Sequence, residues 1–502
     1  MEQLRLYVKE NYKKVIGWGT GGYYDKYKNE LPVKLDYLID SNTSKHGKLI
    51  DGIPVFSPNQ LVEENCDEVL IVIFSTFFRE IVETIYSYGK FSVVSGDQFV
   101  HLEPVLNNDK LTILSEEDKK KTLILSVSRN NYTLYLGGTS KFISEQMSSL
   151  TQLNYLHLHI FWRSYSIKGY QGNYITVVKD GQEIGIYSEQ EFKKQVSVIN
   201  ACIIHNVIGM DMSVLRNVLD YHINTIPIYY YLHDFSSICS DIKMIYNDGY
   251  NHCFSYDKDW VDCASCTQYK DKQQVYSKHS KLFALDNVTL IAPSENTKNI
   301  FMKSFNFSPS KIEVILHQTF EHENFTRTMD VNSKVKIAYV GYKNKYKGWE
   351  QFKQLYSKFQ GKYEFYCFGL NDEVIDGIHY IDVSFIEDGE LAMVRKLQEY
   401  EIDIAFLWST WPETYSYTYY ESYAAGCFIV THEFSGNIAD QVRLNQNGLV
   451  LSELSEFEAF LLDENNVRIS IQESSKKISN LTSNVSGFIN LLSYKTNPKI
   501  LV

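Results

Sequence analysis

Two carboxylates eight positions apart, Glu413 and Glu421, lie between strand-like runs at residues 403–408 and 427–431, and this segment constrains the chain more than any other. Pro412 forces extended or turn geometry on Trp411 and ends the first run. Thr414 or Ser416 can cap a helix, and Gly426 stands where that helix must stop. Glu413 is therefore predicted on the loop at the carboxyl end of a strand, and Glu421 inside the helix that follows. A strand–loop–helix–strand unit belongs to a parallel α/β sheet, and open α/β sheets hold ligands at the carboxyl ends of their strands. The arrangement suits one ligand held at two points.

The same alternation recurs along much of the chain. At 502 residues it is long for a single core and divides into three blocks. Residues 1–105 read as a small Rossmann-like accessory unit, followed by a polar linker over residues 107–109 and 115–121. Residues 121–325 and 326–490 alternate strands and helices as two doubly wound domains do. In the first block Gly17, Gly19 and Gly22 follow a strand and Asp40 ends the next one. Such glycines let a diphosphate approach the backbone, and the acid can accept from a ribose diol. The helix between them is short, so three readings stay open: a nucleotide or nucleotide-sugar site, a dinucleotide site serving a pyridine-nucleotide oxidoreductase, or a structural docking module.

Residues 411–426 resemble the E-x7-E signature of retaining GT-B glycosyltransferases, glycosyltransferase family 4 in particular, and further stretches match in order. Leu136-Gly137-Gly138-Thr139, after a strand at residues 122–127, resembles the family's glycine-rich loop. Tyr231-Leu232-His233-Asp234 resembles its histidine loop, and Ile291-Ala292-Pro293-Ser294-Glu295 a further segment. Ala338-Tyr339-Val340-Gly341 with Lys347-Gly348-Trp349 resembles its Gly-Arg…Lys-Gly phosphate-binding stretch. Two positions depart: Tyr342 stands where the family has arginine, and His317-Gln318 where it commonly has Asn-Gly.

The resemblance implies two Rossmann-like domains facing across a cleft, the first for the acceptor and the second for the donor. It implies transfer of a sugar from a nucleotide diphosphate to an acceptor hydroxyl, with retention of configuration, in surface polysaccharide or glycoconjugate assembly. Glu421 would hold the ribose and Glu413 the donor sugar. Lys347 and the backbone N–H groups of Tyr417 and Thr418 would hold the diphosphate, with Lys343 or Lys345 able to replace the missing arginine. Gly138 would admit the diphosphate from the opposite domain, and His233 would stand beside the reacting centre. No catalytic cofactor is implied. A glycosidase would need its two acids about 5–9 Å apart across one bond, whereas eight helical positions span about 12 Å. The tail, residues 469–492, reads as a helix that crosses back onto the first domain. With Asp51-Gly52-Ile53-Pro54-Val55, the first block resembles small nucleotide-sugar-binding domains found before sugar acyltransferases. The alternative function is a non-catalytic nucleotide-sugar-binding subunit of a transferase complex.

A net charge of −12 argues against a nucleic-acid binder, which would show a basic face. The start carries charge and no apolar core, so a cytoplasmic chain is expected, with its acceptor a glycan, a lipid-linked sugar or a protein. Lys343, Lys345, Lys347, Lys353, Lys358 and Lys362 form either a membrane-docking patch at the inner membrane face or a solvated helix face. Cys239, Cys253, Cys263 and Cys266 form either a structural zinc clamp or a set of buried thiols, since only the last two have tight zinc spacing.

Overall fold

The computed structural model describes the chain except residues 1, 76–77, 101, 103–110, 130, 134–136, 209, 211, 246–251, 254–262, 264–265, 267–268, 326–328, 331, 370–373, 385–387, 475 and 497–502. Leu136 of the glycine-rich loop and residues 107–109 of the linker lie outside the described residues.

The first unit contains β1 (Lys14–Trp18), β2 (Tyr37–Ile39), β3 (Leu49–Ile50), β4 (Ile53–Phe56), β5 (Val69–Ile73) and β6 (Ser92–Ser95). They lie in the order β6-β5-β1-β2-β4, all parallel, with β3 antiparallel to β4. Every residue of β5, Val-Leu-Ile-Val-Ile, is buried, as a parallel strand covered on both faces requires.

The front lobe holds β7 (Leu123–Val127), β8 (Leu156–Ile167), β9 (Tyr170–Lys179), β10 (Gln182–Ser188), β11 (Ala201–Ile204), β12 (Ile228–Tyr231), β13 (Val288–Ala292) and β14 (Ile312–Val314). Its parallel order is β8-β7-β11-β12-β13-β14. Residues 156–188 do not alternate strand with helix as expected; they form the antiparallel meander β8-β9-β10. The first half of β8 pairs with β7, and Ser166 near its far end pairs with Val93 of β6. One continuous sheet thus runs through the first unit and the front lobe. Tyr165 and Ile167 enter the core of the first unit, and Arg163 bridges to Asp97 at 3.2 Å. The segment 115–121 is likewise anchored: Asp118 is buried, accepts from Ser115 and pairs with Lys179 at 2.6 Å. Burial raises its pKa, but Lys179 and Ser115 outweigh that and hold the carboxyl at about 2.

The rear lobe includes a two-stranded ribbon. Its strands are β15 (Gln318–Asn324), β16 (Lys336–Val340), β17 (Glu364–Phe368), β18 (His379–Ile381), β19 (Ile404–Leu407), β20 (Phe428–His432), β21 (Gly448–Leu451) and β22 (Lys476–Ser483). The parallel sheet has the order β18-β17-β16-β19-β20-β21, which counted within the lobe is the doubly wound 3-2-1-4-5-6. β15 and β22 pair antiparallel outside that sheet.

The tail differs from the single helix expected. A helix Glu464–Glu473 is followed by β22 and a second helix, Val485–Thr496. The buried pair Ile478 and Leu481, spaced three apart as on a helix, owes that spacing to a bulge: Asn480 has φ of 49° and the register against β15 shifts there. The last helix does cross back. Phe488 and Leu492 pack with Tyr229, Tyr231 and Ile203 of the front lobe. The chain is thus an α/β protein with two Rossmann-like lobes facing across a cleft, and a third parallel unit joined to the front lobe.

Candidate active site

The rear sheet reverses its strand order between β16 and β19, and the loops leaving the carboxyl ends of those two strands meet. From β16 the chain turns at Gly341, whose φ is +112°, and reaches a short 3-10 turn, Lys345–Lys347, capped by Asn344. Gly348 lies at φ +83°, and a Cβ there would be 2.5 Å from Trp408 Cβ, so only glycine brings the two loops this close. Lys347 Nζ then stands 3.1 Å from Glu413 Oε1. That oxygen also accepts from Ser409 Oγ at 3.4 Å. Glu413 is 6% exposed, and its backbone is pinned on both sides: its N–H donates to Ser435 and its carbonyl accepts from Asn437.

The helix Tyr417–Ala424 opens directly after this loop. Ser416 is its cap, accepting from Tyr419 N–H, and Gly426 at φ +81° ends it. The amides of Tyr417 and Thr418 are first-turn donors without intrahelical partners. Glu421 lies one turn further on, 7% exposed.

The front lobe supplies the facing wall. The helix Gly138–Gln152 starts against the first turn of the rear helix: a Cβ on Gly138 would be 3.3 Å from the Tyr417 ring. Lys141, 6% exposed, reaches across the cleft to Glu421 Oε1 at 3.1 Å and lies 4.7 Å over the Tyr417 ring. His233 follows β12, and its carbonyl accepts from Thr414 Oγ1 at 2.6 Å, joining the histidine loop to the acid loop. Burial pushes the His233 imidazole down to about 3, so the ring is neutral, and its Nε2 lies 3.1 Å from His205 Nδ1. Asp234 accepts from Asn206 at 2.6 Å and from Ser236 N–H at 2.8 Å. His317, between β14 and β15, stacks on Phe142 at 4.2 Å and lies 4.5 Å from Tyr415, with both ring nitrogens buried and lacking hydrogen-bond partners.

Glu413, Glu421, Lys347, Tyr417, Thr418, Gly138 and His233 therefore come together at one lobe junction. Two candidates for the missing arginine do not join them. Lys343 is buried 5.4 Å from the Trp349 ring and 5.1 Å from Tyr380, and Lys345 lies over Tyr346. Tyr342 is 62% exposed. The rest of the lysine run gives no continuous cationic face: Lys353 pairs with Glu350, Lys358 with Glu458, and Lys362 donates to the carbonyls of Leu461 and Leu462.

The candidate ligand turn of the first unit lies apart from this junction and is folded onto itself. Gly17 is packed beneath Leu38 and Leu35, and a Cβ on Gly19, at φ +100°, would be 2.7 Å from the Phe74 carbonyl oxygen. Asp40 Oδ1 accepts from Asn42 N–H, and Oδ2 accepts from Thr20 and, at 3.0 Å, from Lys45. Among the described residues no three His, Cys, Asp or Glu side chains gather as a metal site. Cys263 Sγ instead accepts from the buried Lys272 at 3.0 Å, and burial pushes the Cys239 thiol up to about 11.

Sequence reasoning missed two residues. Lys141, three positions after Gly138, carried the signal of a charge set beside the buried pair Phe142 and Ile143. Trp411 reads in the sequence only as a pre-proline residue, yet its ring is buried in the front-lobe core beside Phe235. Among the described residues no helix is long and apolar enough to cross a membrane.

The family described as C2185-like, N-terminal, matches residues 11–91, which lie within the first unit. No curated protein matches the chain. Among solved structures, WaaG, a glycosyltransferase involved in lipopolysaccharide biosynthesis, is similar at 11% identity and a TM-score of 0.44, covering 75% of this chain and 100% of that one. A glycosyltransferase from Rickettsia africae gives 11% identity and 0.43, over 75% and 99%. Anabaena Alr3699/HepE in complex with UDP-glucose gives 11% and 0.42, over 74% and 95%.

Proposed function

We propose that the chain is a retaining glycosyltransferase that moves a sugar from a nucleotide diphosphate to an acceptor hydroxyl in surface polysaccharide or glycoconjugate assembly. One observation carries the reading: an acid–lysine pair, Glu413 with Lys347, at the switch point of the rear sheet, beside a capped helix start and a second buried acid, Glu421. Transfer requires a leaving diphosphate to be neutralised, a nucleotide to be held, and a sugar to be oriented as positive charge develops on it. Lys347 and the first-turn amides of Tyr417 and Thr418 face the diphosphate, where the helix dipole also favours an anion. Glu421 accepts from the ribose diol and Glu413 from the sugar hydroxyls. Gly138 lets the front-lobe backbone approach, and neutral His233 hydrogen-bonds without adding charge. Donors fixed before the reaction stabilise developing charge without reorganisation. In this reading residues 326–490 bind the donor, residues 121–325 bind a glycan, lipid-linked or protein acceptor, and residues 1–105 are accessory.

A panel of nucleotide sugars, screened for thermal stabilisation and then for release of nucleoside diphosphate, tests it, because a ligand bound only by the folded chain raises its apparent stability. Stabilisation by at least one donor and turnover with it are expected. A Glu421→Ala variant with undiminished affinity for that donor sinks the reading, as does a chain that binds none. Binding without any release favours the second reading, a nucleotide-sugar-binding subunit, for which the exposed Tyr342 in the phosphate loop speaks.

A further inference from the structure

Lys141 is an ammonium buried between two lobes, and burying an isolated charge is costly unless a partner offsets it. Its surroundings make the burial more costly. Gly138 begins one helix and Tyr417 begins another, and the two first turns touch. Each helix start carries partial positive charge from its unpaired amides. Two such ends with a lysine between them repel one another, and Glu421 is the carboxylate that Lys141 contacts there. Glu145, one turn beyond Lys141, is a second carboxylate near this lysine, and the Glu390 carbonyl accepts from Lys141 at 3.4 Å. The Tyr417 hydroxyl is buried nearby and lacks a hydrogen-bond partner. An incoming anion is held here by taking Lys141 from Glu421.

The rear lobe leaves room for that role. Of the phosphate-loop residues 342–347, Tyr342 points outward, Lys343 and Lys345 rest on aromatic rings, and Lys347 is held at Glu413. Lys141 is the cation that the front lobe brings to this junction.

We propose that Lys141 is a donor-phosphate ligand contributed by the front lobe, and that its contact with Glu421 is the resting arrangement that a nucleoside diphosphate exchanges. The ribose hydroxyls take over Glu421, and the diphosphate takes over Lys141. The exchange leaves Lys141 paired with an anion and Glu421 accepting hydrogen bonds, and it uses the donor itself to hold the lobes together. This rests on the proposed glycosyltransferase function and adds the residue that replaces the absent arginine.

The test is calorimetric titration of the full chain with the diphosphates of uridine, adenosine, guanosine and thymidine, and with the four matching nucleosides. Lys141→Gln is expected to weaken the diphosphate that binds the unaltered chain by about tenfold or more, the size of a lost charge-assisted hydrogen bond. Affinity for the matching nucleoside does not fall, since Glu421 no longer has to be released from Lys141, and Lys141→Arg restores most of the loss. The double variant Lys141→Gln with Glu421→Gln, which buries no unpaired charge, must lose the same diphosphate-over-nucleoside preference even if the single variant folds poorly. An undiminished preference in these variants overturns the inference alone, because Lys141 is then only a clamp between lobes. An unaltered chain that binds none of the four diphosphates overturns the proposed function, and the inference with it.

Discussion

The first unit and the rear lobe are built on the same plan, and they hold their acids in different ways. Both place a glycine turn after their first parallel strand and reverse strand order beside it, between β1 and β5 in one and between β16 and β19 in the other. Both put an acid near the turn. In the first unit Asp40 is satisfied by its own neighbours Thr20, Asn42 and Lys45. In the rear lobe Glu413 is held by a lysine of the adjoining loop and Glu421 by a lysine of another lobe. A switch point is therefore a crevice and no more. It becomes a candidate site when a second wall leaves its charges dependent on partners that a ligand can replace.

Four substitutions test that contrast. The largest effect is expected where the second wall is anchored: Trp411→Ala empties a place in the front-lobe core and should cost about 3–5 kcal/mol, seen as a lowered denaturation midpoint. If stability is unchanged, the rear loop is not seated in the front lobe. Next, Glu413→Gln keeps the shape and removes the charge facing Lys347. Turnover of the donor found in the panel should fall about 10²-fold with little change in melting temperature, and full activity would remove Glu413 from the mechanism. In the first unit, Gly19→Ala forces a Cβ against the Phe74 carbonyl at positive φ and should cost about 1–3 kcal/mol. Asp40→Asn, in the same turn, should leave turnover unchanged; loss of turnover there would give the first unit a part in the reaction.

One further effect depends on pH. Burial raises the Glu145 carboxyl to about 7 from its ordinary 4.5, and neighbouring Glu390 and Glu421 add to it against the pull of Lys141 and Ser483. Its raised folded-state value means that its contribution is fully present below pH 4.5 and is lost as pH rises through 7. Glu145→Gln, neutral at every pH, should raise the melting temperature at pH 8 by about 2–4 °C and leave it nearly unchanged at pH 5. Equal shifts at both values would show that Glu145 titrates as an ordinary surface acid.

Much of this contrast was legible in the order of residues. Pro412, Ser416 and Gly426 mark the boundaries of the acid loop and its helix because each acts on local backbone geometry. The apolar runs that became β1, β5, β7, β12, β16, β19 and β20 could be read for the same reason. The meander over residues 156–188 and the bulged strand β22 could not, since a strand's partner and register depend on distant chain. Ile478 and Leu481 imitate a helix locally, and only pairing with β15 shows the bulge that sets them three apart.

The sequence by itself determined the acid pair, its loop and helix, the glycines that bring loops together, and an α/β plan, because these follow from short-range sterics and periodicity. Tertiary structure alone decided which charges meet. Lys141 and Glu421 are 280 residues apart in the chain, and Trp411 finds its pocket in the other lobe. Pairing a buried charge is a property of the folded surroundings, because the cost of leaving water is offset only by whatever the fold brings to the same place.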